Sequence, residues 1–434
     1  MAVRSHPDCA GRKANAGARL SAHLQRLALP CACGVAAMIV PKAFRALQLW
    51  AGGGPGSIRA RAAVELLDGG TGEELFRRGV PDDRKIWSAA AVVREEHHDV
   101  LRAVHRSFIA AGASYVTANN FGITPGVGFT EEQVASLTRR AAELAVEARA
   151  EAGKEAVGSV KVCGSLPPLV ESYRPDLAMG FEEGSRWYNL IADALQSGGA
   201  EVLLAETLSS LHEMKTAVGA ALGRGLPVFG SWTLQADGRL RSGETPAEAI
   251  LALLDFTAEA AGEAEKEAAP GGPHPGPEEA PLGGATASPR NTCTGRRDPG
   301  RAKGARGGPG AGGELAAILF NCSEPEAITR ALRGLRAEEA GRRALERMRG
   351  RGVRLGAYAN RLTAVPEGWS LVASETPQAM RADLGVDAYG VAAEAWAREL
   401  GVELIGGCCG VGPEYVSHLR DRLAGAGLLL RVGT

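Results

Sequence analysis

Residues 202–206 read Val202-Leu203-Leu204-Ala205-Glu206, four apolar side chains without polar alternation that end on a carboxylate. A strand with one wet face alternates, whereas a run apolar on both faces suits a parallel strand buried under helices. Working outward, the pattern recurs at Val64 to Asp68, Tyr115 to Asn119, Val160 to Ser165, Val228 to Thr233, Leu315 to Cys322, Arg354 to Asn360 and Glu403 to Cys408. Each run closes on a polar or Gly-rich cluster and is followed by helical periodicity. Val93, His97, Val100, Leu101, Val104 and Phe108 make one apolar stripe, and Val134, Leu137, Ala141, Leu144 and Ala148 another. Gly112, Gly199, Gly225, Gly352 and Gly401 stand just ahead of the next run, where a helix ends in left-handed backbone. Eight alternating strand and helix units predict a single (β/α)8 TIM barrel, with an open doubly wound sheet as the alternative.

The chain has 434 residues, and two stretches cannot build a core. Residues 1–63 hold nine Arg or Lys against one acid, Asp8, and are predicted to be a disordered extension. Its stretch from Ala18 to Leu29 would make an amphipathic helix, as in an organelle transit peptide; a plain disordered extension and a secretory signal are the other readings. The expected location is therefore cytoplasmic or, with a transit peptide, a plastid or mitochondrion. Residues 262–313 hold 14 Gly and 8 Pro, and are predicted to be a disordered, low-complexity insert between helix five and strand six. The barrel is assigned to residues 64–434 around that insert.

Charge narrows the function. With 49 basic and 50 acidic residues the net charge is -1, which leaves no field to hold a polyanion, so nucleic-acid binding is not expected. The longest uncharged apolar run, Leu27 to Val40, is 14 residues and contains Pro30, short of the ~20 that cross a bilayer, so no membrane span is expected. Eight cysteines, two of them adjacent, argue against a disulfide framework and for a reducing compartment.

In a TIM barrel the chemistry belongs at the strands' C-terminal ends, which here carry Asp68, Asn119, Ser165, Glu206, Trp232, Cys322, Asn360, Cys408 and Cys409. Cysteine often packs as a small buried hydrophobe, but three at one rim read differently. Cys408 and Cys409 lie between Gly406-Gly407 and Gly410, where the backbone can bend so that both sulfurs face one ion, and Cys322 arrives two strands away. Three thiolates with one open position describe a catalytic zinc site. Such a site holds a further thiolate well and deprotonates a thiol that is otherwise mostly neutral at pH 7, so alkyl transfer to sulfur is expected.

The chain resembles the homocysteine S-methyltransferases over about residues 64–426. The resemblance rests on Leu67-Asp68-Gly69-Gly70-Thr71-Gly72, Thr117-Ala118-Asn119-Asn120-Phe121, Gly164-Ser165-Leu166-Pro167-Pro168 with Ser172-Tyr173-Arg174-Pro175-Asp176, and Glu206-Thr207. It continues through Arg241-Ser242-Gly243-Glu244, Asn321-Cys322, Tyr358-Ala359-Asn360 with Pro366-Glu367-Gly368-Trp369, and Gly406-Gly407-Cys408-Cys409-Gly410. It implies that Cys322, Cys408 and Cys409 are the zinc ligands and that Asp68 and Glu206 hold the amino acid, with Gly69, Gly70, Thr71, Asn119 and Asn360 as further substrate-binding residues. Asn120 stands where the family commonly has Thr. The implied reaction is methyl transfer from S-methylmethionine, S-adenosylmethionine or betaine to homocysteine, giving methionine; a selenium or sulfur analogue is the other acceptor.

Plainer roles remain for several of these residues. Asp68 suits an Asx residue starting a Gly-rich turn, and Asn119, Asn120 and Asn360 suit loop caps. Glu206 ends an apolar strand, where an unpaired carboxylate is costly, so a substrate ammonium is its expected partner. His97, His98 and His105 are expected to be solvated on their helix, and Trp232, Trp369 and Tyr173 either pack the mouth or face a sulfonium. Two rival functions are a zinc-holding or redox-sensing barrel that binds thiols without turnover, and a metal-dependent hydrolase. The hydrolase would want His or carboxylate ligands and a general base beside the metal. The expected partners are small molecules alone; oligomeric state is not set by these residues.

Overall fold

A computed structural model describes residues 63–83, 85–268, 313–366, 368–369 and 378–429. The expectations for residues 1–62 and for most of the insert, 269–312, lie outside the described residues. Eight strands follow in order: β1 (Glu65–Leu66), β2 (Tyr115–Thr117), β3 (Lys161–Leu166), β4 (Val202–Leu208), β5 (Val228–Trp232), β6 (Leu315–Asn321), β7 (Arg354–Tyr358) and β8 (Leu404–Ile405). All neighbours pair in parallel, in the order β1-β8-β7-β6-β5-β4-β3-β2. The ring closes where Leu67 bridges Tyr115 and Ser114 N donates to Leu66 O at 2.7 Å. This is the (β/α)8 barrel, each strand being followed by a helix packed outside it.

The lack of alternation in the sequence has a direct structural cause. Outward side chains such as Val116, Val162, Leu203 and Ile318 pack beneath the helices in one large cluster, while Leu67, Cys163, Leu204, Phe229, Leu319 and Leu404 fill the barrel's interior in another. Both faces are therefore buried. The five helix-ending glycines all have positive φ, from 65° at Gly401 to 108° at Gly112. The helix at Glu131–Glu151 starts with a capping box in which Thr130 and Gln133 satisfy each other's backbone N–H groups. Among the described residues no helix is long and apolar enough to cross a membrane.

Three local expectations are corrected. The first predicted stripe is not one helix: a short helix at Ala90–Val93 ends on extended backbone at Arg94, the long helix begins at His98 and ends at Ala111, and Val93 is exposed. His105 is fully buried on that helix rather than solvated, and neither ring nitrogen has a partner among the described residues. The helix after β5 spans Pro246–Ala268, seven residues into the predicted insert, because Gly262 to Ala268 is mostly Ala, Glu and Lys, which favour helix.

At the N-terminal end of the barrel, Arg354 of β7 reaches inward. Its guanidinium pairs with Glu65 and donates to Tyr115 Oη at 3.0 Å, and lies 5.5 Å from the centroid of the Phe229 ring. Tyr115 Oη in turn donates to Glu65 Oε2 at 3.0 Å. This knot stoppers the bottom of the barrel, and the open end is the opposite one.

Candidate active site

The topmost inward-facing layer is polar, and it floors a cavity of about 450 Å³ at the strands' C-terminal ends. Glu206 stands near the end of β4 there. Its Oε1 accepts from Ser165 Oγ at 2.5 Å and its Oε2 from Tyr358 Oη at 3.3 Å. A bulge between Ala205 and Leu208 leaves Thr207 in left-handed backbone, φ 61°. Asn321 of β6 holds that geometry: its Oδ1 accepts from Thr207 N at 3.0 Å and from Ser231 Oγ at 2.7 Å, and its Nδ2 donates to Thr207 Oγ1 at 2.8 Å. Burial pushes Glu206 up to about 7, with hydrogen bonds from Ser165 and Tyr358 opposing and the charge of Asp68 adding to the rise.

Asp68 stands across the floor. Its Oδ2 accepts from Thr117 N at 2.7 Å and its Oδ1 from Thr117 Oγ1 at 3.1 Å, so the carboxylate takes the place of a ladder carbonyl at the seam between β1 and β2. Burial raises it, too, to about 7. Two nearly buried carboxylates so placed are a site for a cation, since an ammonium between them would keep both ionised.

Cys322, Cys408 and Cys409 have their sulfurs within 4.8 Å of one another. The Sγ–Sγ separations are 3.8 Å from Cys322 to Cys409 and 3.9 Å from Cys408 to Cys409. The bend that brings them together falls only partly on the glycines expected to supply it. Cys322 itself carries the left-handed backbone, φ 47°, and of the three glycines beside the paired cysteines only Gly410 has positive φ. Gly406 and Gly407 serve close approach: a Cβ on Gly406 would lie 2.8 Å from Asp68 O, and one on Gly407 2.0 Å from a Val411 methyl. Contacts from Cys408, Cys409, Tyr173 and Asn360 pull the Cys322 thiol well below its ordinary range, and sharing with Cys322 pushes Cys408 and Cys409 up.

Asp68, Gly69, Gly70, Thr71, Asn119, Glu206 and the three cysteines all border the cavity; Asn360 does not. Asn360 lies behind Cys322, on a second cavity of about 30 Å³. Asn119 ties the wall together, its Nδ2 donating to Ser88 O at 2.7 Å, and Asn120 exchanges hydrogen bonds with the Ser165 backbone at 2.8 and 3.3 Å. Trp232 is fully buried, donates to Ser210 O and is absent from the cavity wall, so it cannot meet a substrate; Tyr173, Trp369, Trp87 and Phe121 supply the aromatic lining. Glu73, which the strand-end reading passed over because it sits on the helix Thr71–Arg77, also lines the cavity, and burial raises its carboxyl. Its helical position after the Gly-rich turn was the available signal.

A family model described as homocysteine S-methyltransferase matches residues 65–262 and 304–423. A homocysteine S-methyltransferase of Escherichia coli (strain K12) is 30% identical over 206 residues, covering 44% of this chain and 65% of that protein. A selenocysteine methyltransferase of Astragalus bisulcatus is 28% identical over 180 residues, covering 39% of this chain and 50% of that protein. The chain thus spans half to two thirds of the length of these curated relatives. Among solved structures, the metallated form of the homocysteine methyltransferase MmuM from Escherichia coli superposes with a TM-score of 0.54 at 22% identity, over 83% of this chain and 96% of that one. That likeness bears on the fold.

Proposed function

The chain belongs to the homocysteine S-methyltransferase family, and from that premise we propose that it transfers a methyl group from a cationic donor to the thiol of homocysteine, giving methionine. The observation that carries the reading is the sulfur triangle. Tetrahedral zinc at its usual ~2.3 Å from sulfur sets neighbouring sulfurs about 3.8 Å apart; two edges of the triangle measure 3.8 and 3.9 Å, and the third is within 4.8 Å. Cys322, Cys408 and Cys409 would hold the ion. When bound, it supplies a Lewis-acid position at which a thiol is present as thiolate at neutral pH.

The remaining work falls to the chain's own residues. Asp68 and Glu206 receive the homocysteine ammonium on the floor, and the Gly69-Gly70-Thr71 turn and Asn119 border the same cavity. The substrate sulfur is thereby held at the cysteine rim with the mouth above it for the donor. Its lone pair attacks the donor methyl carbon; the bond from that carbon to the donor heteroatom breaks, its electron pair stays with the donor, and the donor leaves without its positive charge. Positioning of this kind is the barrel's contribution to rate.

The lining favours one donor class. Asp68, Glu73, Asp82 and Glu206 line the cavity, and among the described residues of its wall there is no Lys or Arg. A donor of net positive charge, S-methylmethionine or S-adenosylmethionine, suits this lining better than betaine, whose ammonium and carboxylate charges cancel. A hydrolase is disfavoured because the candidate metal cluster among the described residues is made of three cysteines, with no His or carboxylate in it. Incubating the purified, zinc-loaded chain with homocysteine and each of the three donors tests the proposal. Methionine is expected with the sulfonium donors; binding of homocysteine without methionine from any donor would leave the thiol-binding or sensing reading in its place.

A further inference from the structure

Tyr173 comes from the loop after β3, yet its hydroxyl reaches the metal-ligating rim. Its Oη lies 2.9 Å from Cys322 Sγ and 3.4 Å from Cys322 O. Both partners are held in backbone that L-residues rarely adopt, φ 66° at Tyr173 and 47° at Cys322, so two strained segments from different loops converge on one contact. The phenol ring is buried and fixed from two sides. The Arg241 guanidinium carbon sits 4.8 Å from its centroid, and Trp369 meets it edge-on at 5.8 Å. Arg241 is itself anchored, donating to Val365 O at 3.5 Å.

A metal-bound cysteine has no S–H to give, so in that state the tyrosine must be the donor. A cation over the ring face draws electron density from the phenol and makes its O–H a better donor. Resting on the metal centre of the proposed function, we propose that Tyr173, backed by Arg241, is a positioning residue whose hydroxyl donates to Cys322 Sγ, fixes that sulfur's direction and withdraws part of its charge. The other two sulfurs receive no such contact from a tyrosine among the hydrogen bonds described, so the three ligands are unequal: Cys322 is the weaker electron donor. A metal facing one weakened thiolate keeps more of its demand for the incoming substrate sulfur.

Cobalt(II) replaces zinc as the probe, because its sulfur-to-metal charge-transfer band reports thiolate donation directly. In Tyr173→Phe the freed sulfur donates more strongly, so the band is expected to move to lower energy, while the loss of that sulfur's fixed direction outweighs the stronger donation and lowers the cobalt affinity, measured by chelator competition, about 10-fold, the usual scale for losing an outer hydrogen bond to a ligand. Arg241→Met keeps the phenol and removes the cation; a smaller shift in the same direction is expected. A tyrosine that merely packs would lower the melting temperature without moving the band. Wild-type position and affinity in Tyr173→Phe overturn the inference, and if that variant does not fold, an unmoved band in Arg241→Met overturns it instead. A wild-type chain that takes up no cobalt removes the metal centre itself, which separates failure of the proposed function from failure of this contact.

Discussion

Replacing Glu206 by Gln should make the protein more stable at pH 8 and worse at its work. Glu206 is buried and its carboxyl is pushed from 4.5 up to about 7, chiefly by burial. Between those values the folded state binds a proton that the unfolded state has released, so stability falls as pH rises, by about 1.4 kcal/mol per unit. Over roughly two and a half units the ionised carboxylate costs about 3 kcal/mol above pH 7. Glutamine keeps an acceptor for Ser165 and escapes that cost. Its advantage over wild type should be near zero at pH 4.5 and complete above pH 7.5. With an unfolding entropy of about 2 cal/mol/K per residue over roughly 300 ordered residues, the melting temperature at pH 8 should rise by about 5 °C. The same change removes a charge-assisted contact with the substrate ammonium, worth about 1.5 to 3 kcal/mol, or roughly 10- to 150-fold in homocysteine affinity. Melting curves at pH 5 and pH 8 with homocysteine titrations on both proteins decide it. A variant less stable than wild type at pH 8, or a difference that does not change with pH, would refute the reasoning about burial; unchanged affinity would return Glu206 to a scaffold role.

Cys322→Ser, Cys408→Ser and Cys409→Ser should each lose most bound zinc and activity while melting as folded barrels, because the sulfurs sit at the rim and not in the core; wild-type metal content in all three would show the site assignment to be wrong. His105, which burial pushes down to about 4, should destabilise the fold as pH drops from 6.5 toward 4, so His105→Leu should gain on wild type in denaturant midpoint at pH 4.5 relative to pH 7.5; an equal difference at both would mean His105 does not titrate through unfolding. Deleting residues 271–310 should leave methyl transfer nearly intact, since β6 starts at Leu315 opposite Val228, the first residue of β5, at the end of the barrel away from the cysteines; a folded, zinc-loaded deletion without activity would place the insert at the active face. Initial rates at low homocysteine should climb from pH 6 to pH 8 as Asp68 and Glu206, both near 7, ionise to receive the ammonium, and a flat profile would argue against that pair.

Strand order, the number of units and the rim cysteines were readable in the sequence because each depends on local pattern: doubly buried strands lose alternation, helices stop at glycine, and paired cysteines advertise themselves. What was hidden depends on partners far along the chain. Nothing in residues 98–111 says that His105 turns inward, because a single polar residue on an apolar stripe looks the same whether it faces the core or its edge. Around the left-handed backbone of Cys322, Tyr358 O accepts its N–H at 3.3 Å and the Tyr173 hydroxyl meets its sulfur at 2.9 Å, partners 36 and 149 residues away. Asp68 was read as a turn residue or a substrate ligand, and its bonds to Thr117 show a third duty, closing the seam of the barrel.

The Arg354, Glu65 and Tyr115 stopper has a kinetic corollary. With the barrel's interior packed beneath the cavity and its far end closed by this knot, the cavity is entered from the strands' C-terminal side, so what reacts inside should queue. On the proposed reading, homocysteine is addressed by the carboxylates on the floor and should arrive before the donor that covers it, and the methylated product at the bottom should leave only after the spent donor above it has gone. Turnover should therefore follow a compulsory order in which the methylated product competes with homocysteine for the empty protein and the spent donor does not. Double-reciprocal plots against the two substrates would then intersect, and no exchange of methyl between enzyme and donor would occur in the absence of homocysteine.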